Sequence, residues 1–154
     1  MIRFRRLRTS TVVHVGTDLV SVSEVEQSIA CFGDRYLKRV YSTGELATCE
    51  RPDGAPDASR LAARFAAKEA TVKALRPSIG LAYTDIEVVH DVVGAPFMKF
   101  SGSALTWIEG LSMSSGSVSL AHEGGIASAV FVASTSAPAS LRHHHRSRYV
   151  GGSK

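Results

Sequence analysis

Glu69 and Lys73 stand four residues apart, as do Arg64 and Lys68, inside the stretch Arg60-Leu-Ala-Ala-Arg64-Phe65-Ala-Ala-Lys68-Glu69-Ala-Thr-Val-Lys73-Ala-Leu75. Wound as a helix, that spacing puts each pair on one line. Carboxylate and ammonium groups on a buried helix are costly unless they are paired or bound to something charged. Two readings follow. One is an i,i+4 salt bridge on a solvated edge. The other is a site that grips a charged ligand, because the polar lines cut an otherwise apolar cylinder. A further carboxylate, Asp18, lies in Thr-Val-Val-His14-Val-Gly16-Thr-Asp18-Leu-Val. Gly16 leaves bare backbone beside it, open to a close-lying ligand. The alternative there is a bulge with Asp18 facing solvent.

The elements that must position these groups are legible in outline. The Arg60–Leu75 stretch has no Gly or Pro and many strong helix formers, so it predicts about four helical turns ended by Pro77. Leu61, Phe65, Val72 and Leu75 share one face, and Ala63, Ala67, Ala70 and Ala74 the opposite one, which predicts burial on two sides. Thr11 to Val20 alternates as a strand, with Val13, Val15, Thr17 and Leu19 on one side and His14, Gly16 and Asp18 on the other.

Ser23 to Phe32 predicts a helix with Ser23 as N-cap and Glu26 completing a capping box. Arg35, Lys38 and Arg39 form a basic cluster, either a solvated face or a docking patch for an acidic protein. A short helix starts near Ser42, and residues 51–57 are a loop. Past a link that begins at Ser78, residues 85–91 and 97–100 predict a hairpin, and so do residues 117–122 and 126–133. Between the hairpins lies a short helix with Ser103 as cap and Gly110 as stop. The order predicts an α+β domain with a mainly antiparallel sheet and a long buried central helix. It divides as a basic extension over 1–10, a domain over 11–133 and a disordered basic tail over 134–154.

At 154 residues the chain suits one domain with a real core. A net charge of +4, concentrated at the ends, fits an acidic partner or a phosphate-bearing ligand and is too small to argue for nucleic acid. Cys31 and Cys49 form no C-x-x-C motif, so a reducing compartment, the cytoplasm, is expected. No apolar run reaches membrane-spanning length, and His14 and Asp18 break the only stretch that resembles a signal peptide. His143, His144 and His145 read as part of a basic tail rather than a metal site.

Four pieces resemble one family, the holo-[acyl-carrier-protein] synthases, which are small 4′-phosphopantetheinyl transferases. Val15-Gly16-Thr17-Asp18-Leu19-Val20 is similar to the family's G-x-D-[IL]-V opening. Arg64 to Ala74 resembles its R-[FW]-A-A-K-E-A-x-x-K-A helix, the most specific of the four. Asp85-Ile-Glu-Val through Gly94-Ala-Pro96 resembles its D-I-E-V…G-x-P hairpin, and Val118 to His122 its S-[IL]-[ST]-H strand. The pieces keep their order over residues 11–133.

The resemblance implies transfer of the 4′-phosphopantetheine arm of coenzyme A to a serine of an acidic acyl carrier protein, with release of 3′,5′-ADP. It implies Mg²⁺ bound by Asp18 and Glu69, with Lys73 reaching the same phosphates. It implies that Arg64, Lys68 and His122 contact coenzyme A phosphates and that Gly94 and Pro96 shape the pocket edge. Beside this stand a helix charge line for Arg64 and Lys68, a core histidine at 122 and an ordinary turn at 94–96. Glu69 is the candidate base for the serine proton. The resemblance also implies a homotrimer with sites between subunits, serving fatty-acid or polyketide carriers.

Three positions depart from the family. Glu24 stands where many relatives carry a carrier-docking Arg, a charge that Arg35, Lys38 and Arg39 can restore. Ala121 replaces a Ser or Thr, which removes one hydroxyl contact worth roughly 0.5–1.5 kcal/mol. Thr17 replaces a common aliphatic residue. A competing expectation is a coenzyme A or nucleotide-phosphate binding protein of the same fold that no longer transfers.

Overall fold

The computed structural model describes residues 11–77 and 80–136. The extension over 1–10, the link residues 78 and 79, and the histidine-bearing tail from 137 onward lie outside the described residues.

The chain opens with strand β1 (Thr11–Ser21), then helices α1 (Val22–Phe32), α2 (Asp34–Val40), α3 (Thr43–Thr48) and the long α4 (Ala58–Leu75). A 3-10 turn over Tyr83–Asp85 leads to β2 (Ile86–His90) and β3 (Pro96–Phe100). Helix α5 (Gly102–Gly110), β4 (Met113–Glu123) and β5 (Ile126–Ser136) complete it. The sheet is split in two: three antiparallel strands in the order β1-β5-β4, and a separate β2-β3 hairpin.

Helix α4 lies on the three-stranded sheet and is covered on its other sides by α1, α3 and β2. Leu61, Ala63, Ala67, Ala70, Ala74 and Leu75 are buried, and Phe65 and Val72 are half-buried, so both apolar faces are used. The contact is close because small residues meet across it. A Cβ on Gly16 would stand 2.0 Å from the Ala70 carbonyl oxygen and 2.6 Å from the Ala74 nitrogen. Gly16 is therefore filled by helix backbone and is not an opening for a ligand, which corrects the expectation from its sequence.

Helix ends show where tertiary contacts override local signals. Helix α1 begins at Val22 after Ser21, without a side-chain cap, so Ser23 is not its N-cap. The Val22 N–H donates instead to the Gly125 carbonyl at 2.9 Å, in the β4–β5 turn. The capping box sits at α3: Ser42 Oγ accepts from Glu45 N at 3.1 Å, and Glu45 Oε2 accepts from Ser42 N at 2.9 Å. At α5 the cap is also not the expected one. The Asp85 carboxylate accepts from Ser103 N at 2.9 Å and from its hydroxyl at 2.8 Å. Strand β5 runs through Ser134–Ser136, residues expected in the tail. Thr135 is buried there, beside His14 Nε2 at 2.9 Å.

Candidate active site

Strand alternation turns Asp18 toward α4, on the same face as buried Gly16 and Val20. The Gly16 contact fixes the register of helix on strand, which brings the Asp18 row level with the C-terminal part of α4. There Lys73 Nζ donates to Asp18 Oδ1 at 2.5 Å, with the Asp18 side chain 12% exposed and Lys73 52%. The hydrogen bond and charge of Asp18, reinforced by Glu69, raise Lys73 above the ordinary lysine value. Lys73 is thus committed across to the strand rather than to its i−4 neighbour Glu69.

Glu69, one turn earlier, is half-buried, and its Oε1 accepts from the Tyr83 hydroxyl. The Tyr83 ring stacks on Phe65 with centroids 5.9 Å apart and planes at 30°. Burial first, then Glu69 and Asp18, push the Tyr83 phenol well above its usual range, so it stays a donor. Asp18, Glu69, Lys73 and Tyr83 form one electrostatic cluster. Sequence reasoning missed Tyr83, since an aromatic residue outside any polar pattern gives no signal of its own.

Lys68 is a different matter. It is fully buried, with its ammonium 2.6 Å from Glu45 Oε2 and donating to the carbonyls of Val40 at 2.7 Å and Tyr83 at 2.8 Å. An ammonium has three hydrogens, and three acceptors surround it. Lys68 is therefore not free to bind coenzyme A phosphate, and that expectation is corrected. Burial lowers its proton affinity, while the Glu45 carboxylate raises it. The other Glu45 oxygen accepts from Val88 N at 3.0 Å, so one buried pair joins α3, α4, β2 and the 3-10 turn.

Arg64 is 9% exposed, and its Nε is buried with no hydrogen-bond partner among the described residues. Its charge pulls the neighbouring Cys49 thiol down, but burial is the larger influence and the thiol is raised. His122 is exposed on β4, which removes the core-histidine reading. The register runs Val20–Ala127–His122, so His122 shares the helix-facing side with Asp18 but lies level with Val20, two strand spacings or about 10 Å across from that residue and two residues further along from the Asp18 row.

Gly94 has φ +84 in a turn closed by Asp91, whose carboxylate accepts from Val93 N at 2.9 Å and Ala95 N at 2.8 Å. Pro96 begins β3 opposite His90. Turn geometry accounts for both, and neither hydrogen-bonds to the Asp18 cluster. The Asp85-Ile-Glu motif likewise has structural work: Asp85 caps α5, Ile86 is buried, and Glu87 pairs with Lys99 at 3.2 Å.

Among the described residues no cluster of three or more His, Cys, Asp and Glu side chains is placed to hold a metal. Two carboxylates are what the chain offers here. Asp18 Oδ1 and Glu69 Oε1 carry the hydrogen bonds, and the second oxygen of each has none recorded. A hard, oxygen-seeking cation such as Mg²⁺ commonly takes one or two carboxylates and completes its shell with phosphate and water. The donor set fits that ion.

On this α+β scaffold two carboxylates and a lysine meet where β1 crosses α4, and a buried arginine with an unpaired Nε stands earlier on the same helix, groups whose charges suit a phosphate-bearing ligand. Residues 14–147 match the family model of the 4′-phosphopantetheinyl transferase superfamily, and the chain belongs to that superfamily. Its relatives include the holo-[acyl-carrier-protein] synthase of Paramagnetospirillum magneticum, 43% identical over 60% of this chain and 70% of the relative. That of Chloroflexus aggregans is 39% identical over 79% of this chain and 95% of the relative. The crystal structure of the Helicobacter pylori holo-[acyl-carrier-protein] synthase in complex with coenzyme A superposes with a TM-score of 0.67. It is 31% identical and covers 77% of this chain and 98% of its own.

Proposed function

We propose that this chain transfers the 4′-phosphopantetheine arm of coenzyme A to a serine of an apo acyl carrier protein, releasing 3′,5′-ADP. The observation that carries this is the convergence of Asp18, Glu69 and Lys73 where β1 meets α4. The carrier serine Oγ forms a bond to the β-phosphorus, and the bond from that phosphorus to the bridging oxygen breaks. The departing 3′,5′-ADP keeps the electron pair. Asp18 and Glu69 would hold Mg²⁺, which supplies positive charge to the pyrophosphate when bound.

Lys73 is exposed enough to release Asp18 and donate its Nζ hydrogens to the phosphates. Glu69 takes the serine proton, directly or through a water. Arg64, buried and with an idle Nε, and His122, exposed on the same sheet face as Asp18, bind coenzyme A phosphates. The non-catalytic alternative has no support in this cluster, which retains both carboxylates and the lysine.

Arg35, Tyr36 and Arg39 of α2 line one surface pocket with Phe32 at the end of α1, while Lys38 of the basic cluster pairs with Asp34 at 2.7 Å. Helix α1 carries Glu24 and Glu26 and no basic residue. An acidic carrier docks on α2. The outer face of the three-stranded sheet exposes Val13, Val15, Leu19, Val130 and Val132, the last two between 38% and 42% exposed and Leu19 71%. Contiguous apolar area of this kind marks an interface, and a homotrimer with sites between neighbouring subunits would bury it. No helix of the described residues is long and apolar enough to cross a membrane. With Cys31 and Cys49 as free thiols, the cytoplasm is the fitting compartment.

The test is intact-mass spectrometry of apo fatty-acid and polyketide carriers incubated with the enzyme and coenzyme A. A gain of one phosphopantetheine on the serine, present with Mg²⁺ and abolished by EDTA, is expected. No gain on any carrier, or gain indifferent to EDTA, contradicts the reading.

A further inference from the structure

Among the described residues two polar side chains hydrogen-bond to the carboxylates where β1 meets α4: Lys73, already committed to Asp18, and Tyr83, which bonds Glu69. The 3-10 turn that carries Tyr83 is pinned at both ends. Its first carbonyl, that of Tyr83, accepts from buried Lys68 Nζ at 2.8 Å. Its last residue, Asp85, holds Ser103 through its carboxylate at 2.8 and 2.9 Å and accepts from Ser101 N through its carbonyl at 2.9 Å. The ring between these anchors rests on Phe65, one turn before Glu69 on the same helix. The hydroxyl therefore has little freedom.

The Glu69 side chain is the opposite. It is long, half-exposed, and has no other recorded hydrogen bond among the described residues. Left alone, such a carboxylate samples several rotamers. A rigid donor on Oε1 selects one and leaves Oε2 as the ligand atom.

We propose that Tyr83 is a positioning residue: its hydroxyl, anchored through Lys68 and Asp85, orients the Glu69 carboxylate for the divalent cation. The inference rests on the assignment of Asp18 and Glu69 as cation ligands. Partners that orient a ligating side chain typically matter by about 10–100-fold in metal affinity. Lys68 gains a role here that replaces phosphate binding, since its ammonium holds the turn from which the phenol projects.

The experiment uses the full chain and Mn²⁺ as probe, titrated with saturating coenzyme A and followed by the electron paramagnetic resonance of free Mn²⁺. Tyr83→Phe keeps the ring and its stacking. It is expected to weaken Mn²⁺ binding about tenfold or more, with the melting midpoint and the metal-free coenzyme A affinity unchanged. The Mg²⁺ concentration for half-maximal rate should rise with it, and kcat at saturating Mg²⁺ should largely recover. Unchanged Mn²⁺ affinity in Tyr83→Phe, alongside loss in Glu69→Gln, overturns the role of Tyr83 and leaves the ligand assignment standing. Unchanged affinity in both overturns the two together. Phe65→Leu is the second variant: if affinity merely tracks the melting midpoint across it and Tyr83→Phe, the role is structural and the proposal fails.

Discussion

Lys68 and Lys73 share one helix and have opposite surroundings. Lys73 is half-exposed and reaches across to Asp18, while Lys68 is sealed against Glu45 and two carbonyls. Removing one partner of a buried pair leaves an uncompensated charge, which costs about 3–5 kcal/mol. Lys68→Met should lose stability of that order in urea denaturation, because Glu45 and the Val40 and Tyr83 carbonyls would all be stranded. A loss well under 1 kcal/mol would show that water reaches the pocket. The cysteines divide in the same way. Cys31 is exposed and Cys49 buried, with its thiol raised mainly by burial. A raised thiol stays protonated where an ordinary one ionises, so it resists alkylation. Native labelling near pH 8 should modify Cys31 alone, with Cys49 reacting only on unfolding, as read by peptide mass mapping.

At the scale of elements, the meeting of β1 with α4 decides the site. Gly16→Ala would drive a Cβ into helix backbone 2.0 Å away, which cannot rotate aside as a side chain can. The expected loss is at or above the upper end of the ~1–3 kcal/mol seen for overpacking. It would be read as a lower melting midpoint together with a lower rate, because Asp18 and Lys73 shift apart. An unchanged midpoint would contradict the packing.

The elements themselves were largely legible in sequence. Alanines on one face and Leu61 and Leu75 on the other announced a buried helix, and alternation announced the strands. Where reading failed, the reason was long-range. The S-x-x-E pattern occurs at both Ser23 and Ser42, but β4–β5 turn backbone takes the place of a cap at α1. Glu45 and Lys68 have no local signal that they pair. The polar residues Ser134 and Thr135 looked like tail, yet they pair in β5 with Val13 and Val12. Of the site, Asp18, Glu69 and Lys73 could be named from motif resemblance, whereas Tyr83 depends on a turn whose position the sequence does not encode locally.

For the whole molecule, the outer sheet face is the unbalanced feature. Val15 and Val132 are directly paired neighbours there, 63% and 38% exposed. A lysine at either position would be buried unpaired in an assembly. If the proposed trimer forms through this face, Val15→Lys should give monomers in analytical ultracentrifugation where the parent chain does not, and lower activity with it, if neighbouring subunits complete the site. A monomeric wild type with full activity would contradict this.

The most direct measurement is the time course of holo-carrier formation, followed by intact-mass spectrometry for Asp18→Asn and Glu69→Gln beside the parent enzyme. Each substitution keeps size and hydrogen-bonding shape and removes one negative charge. Both should give no holo carrier above background while circular dichroism and the melting transition remain those of a folded protein. Near-parental turnover by either variant would show that the cation is not held between these two carboxylates.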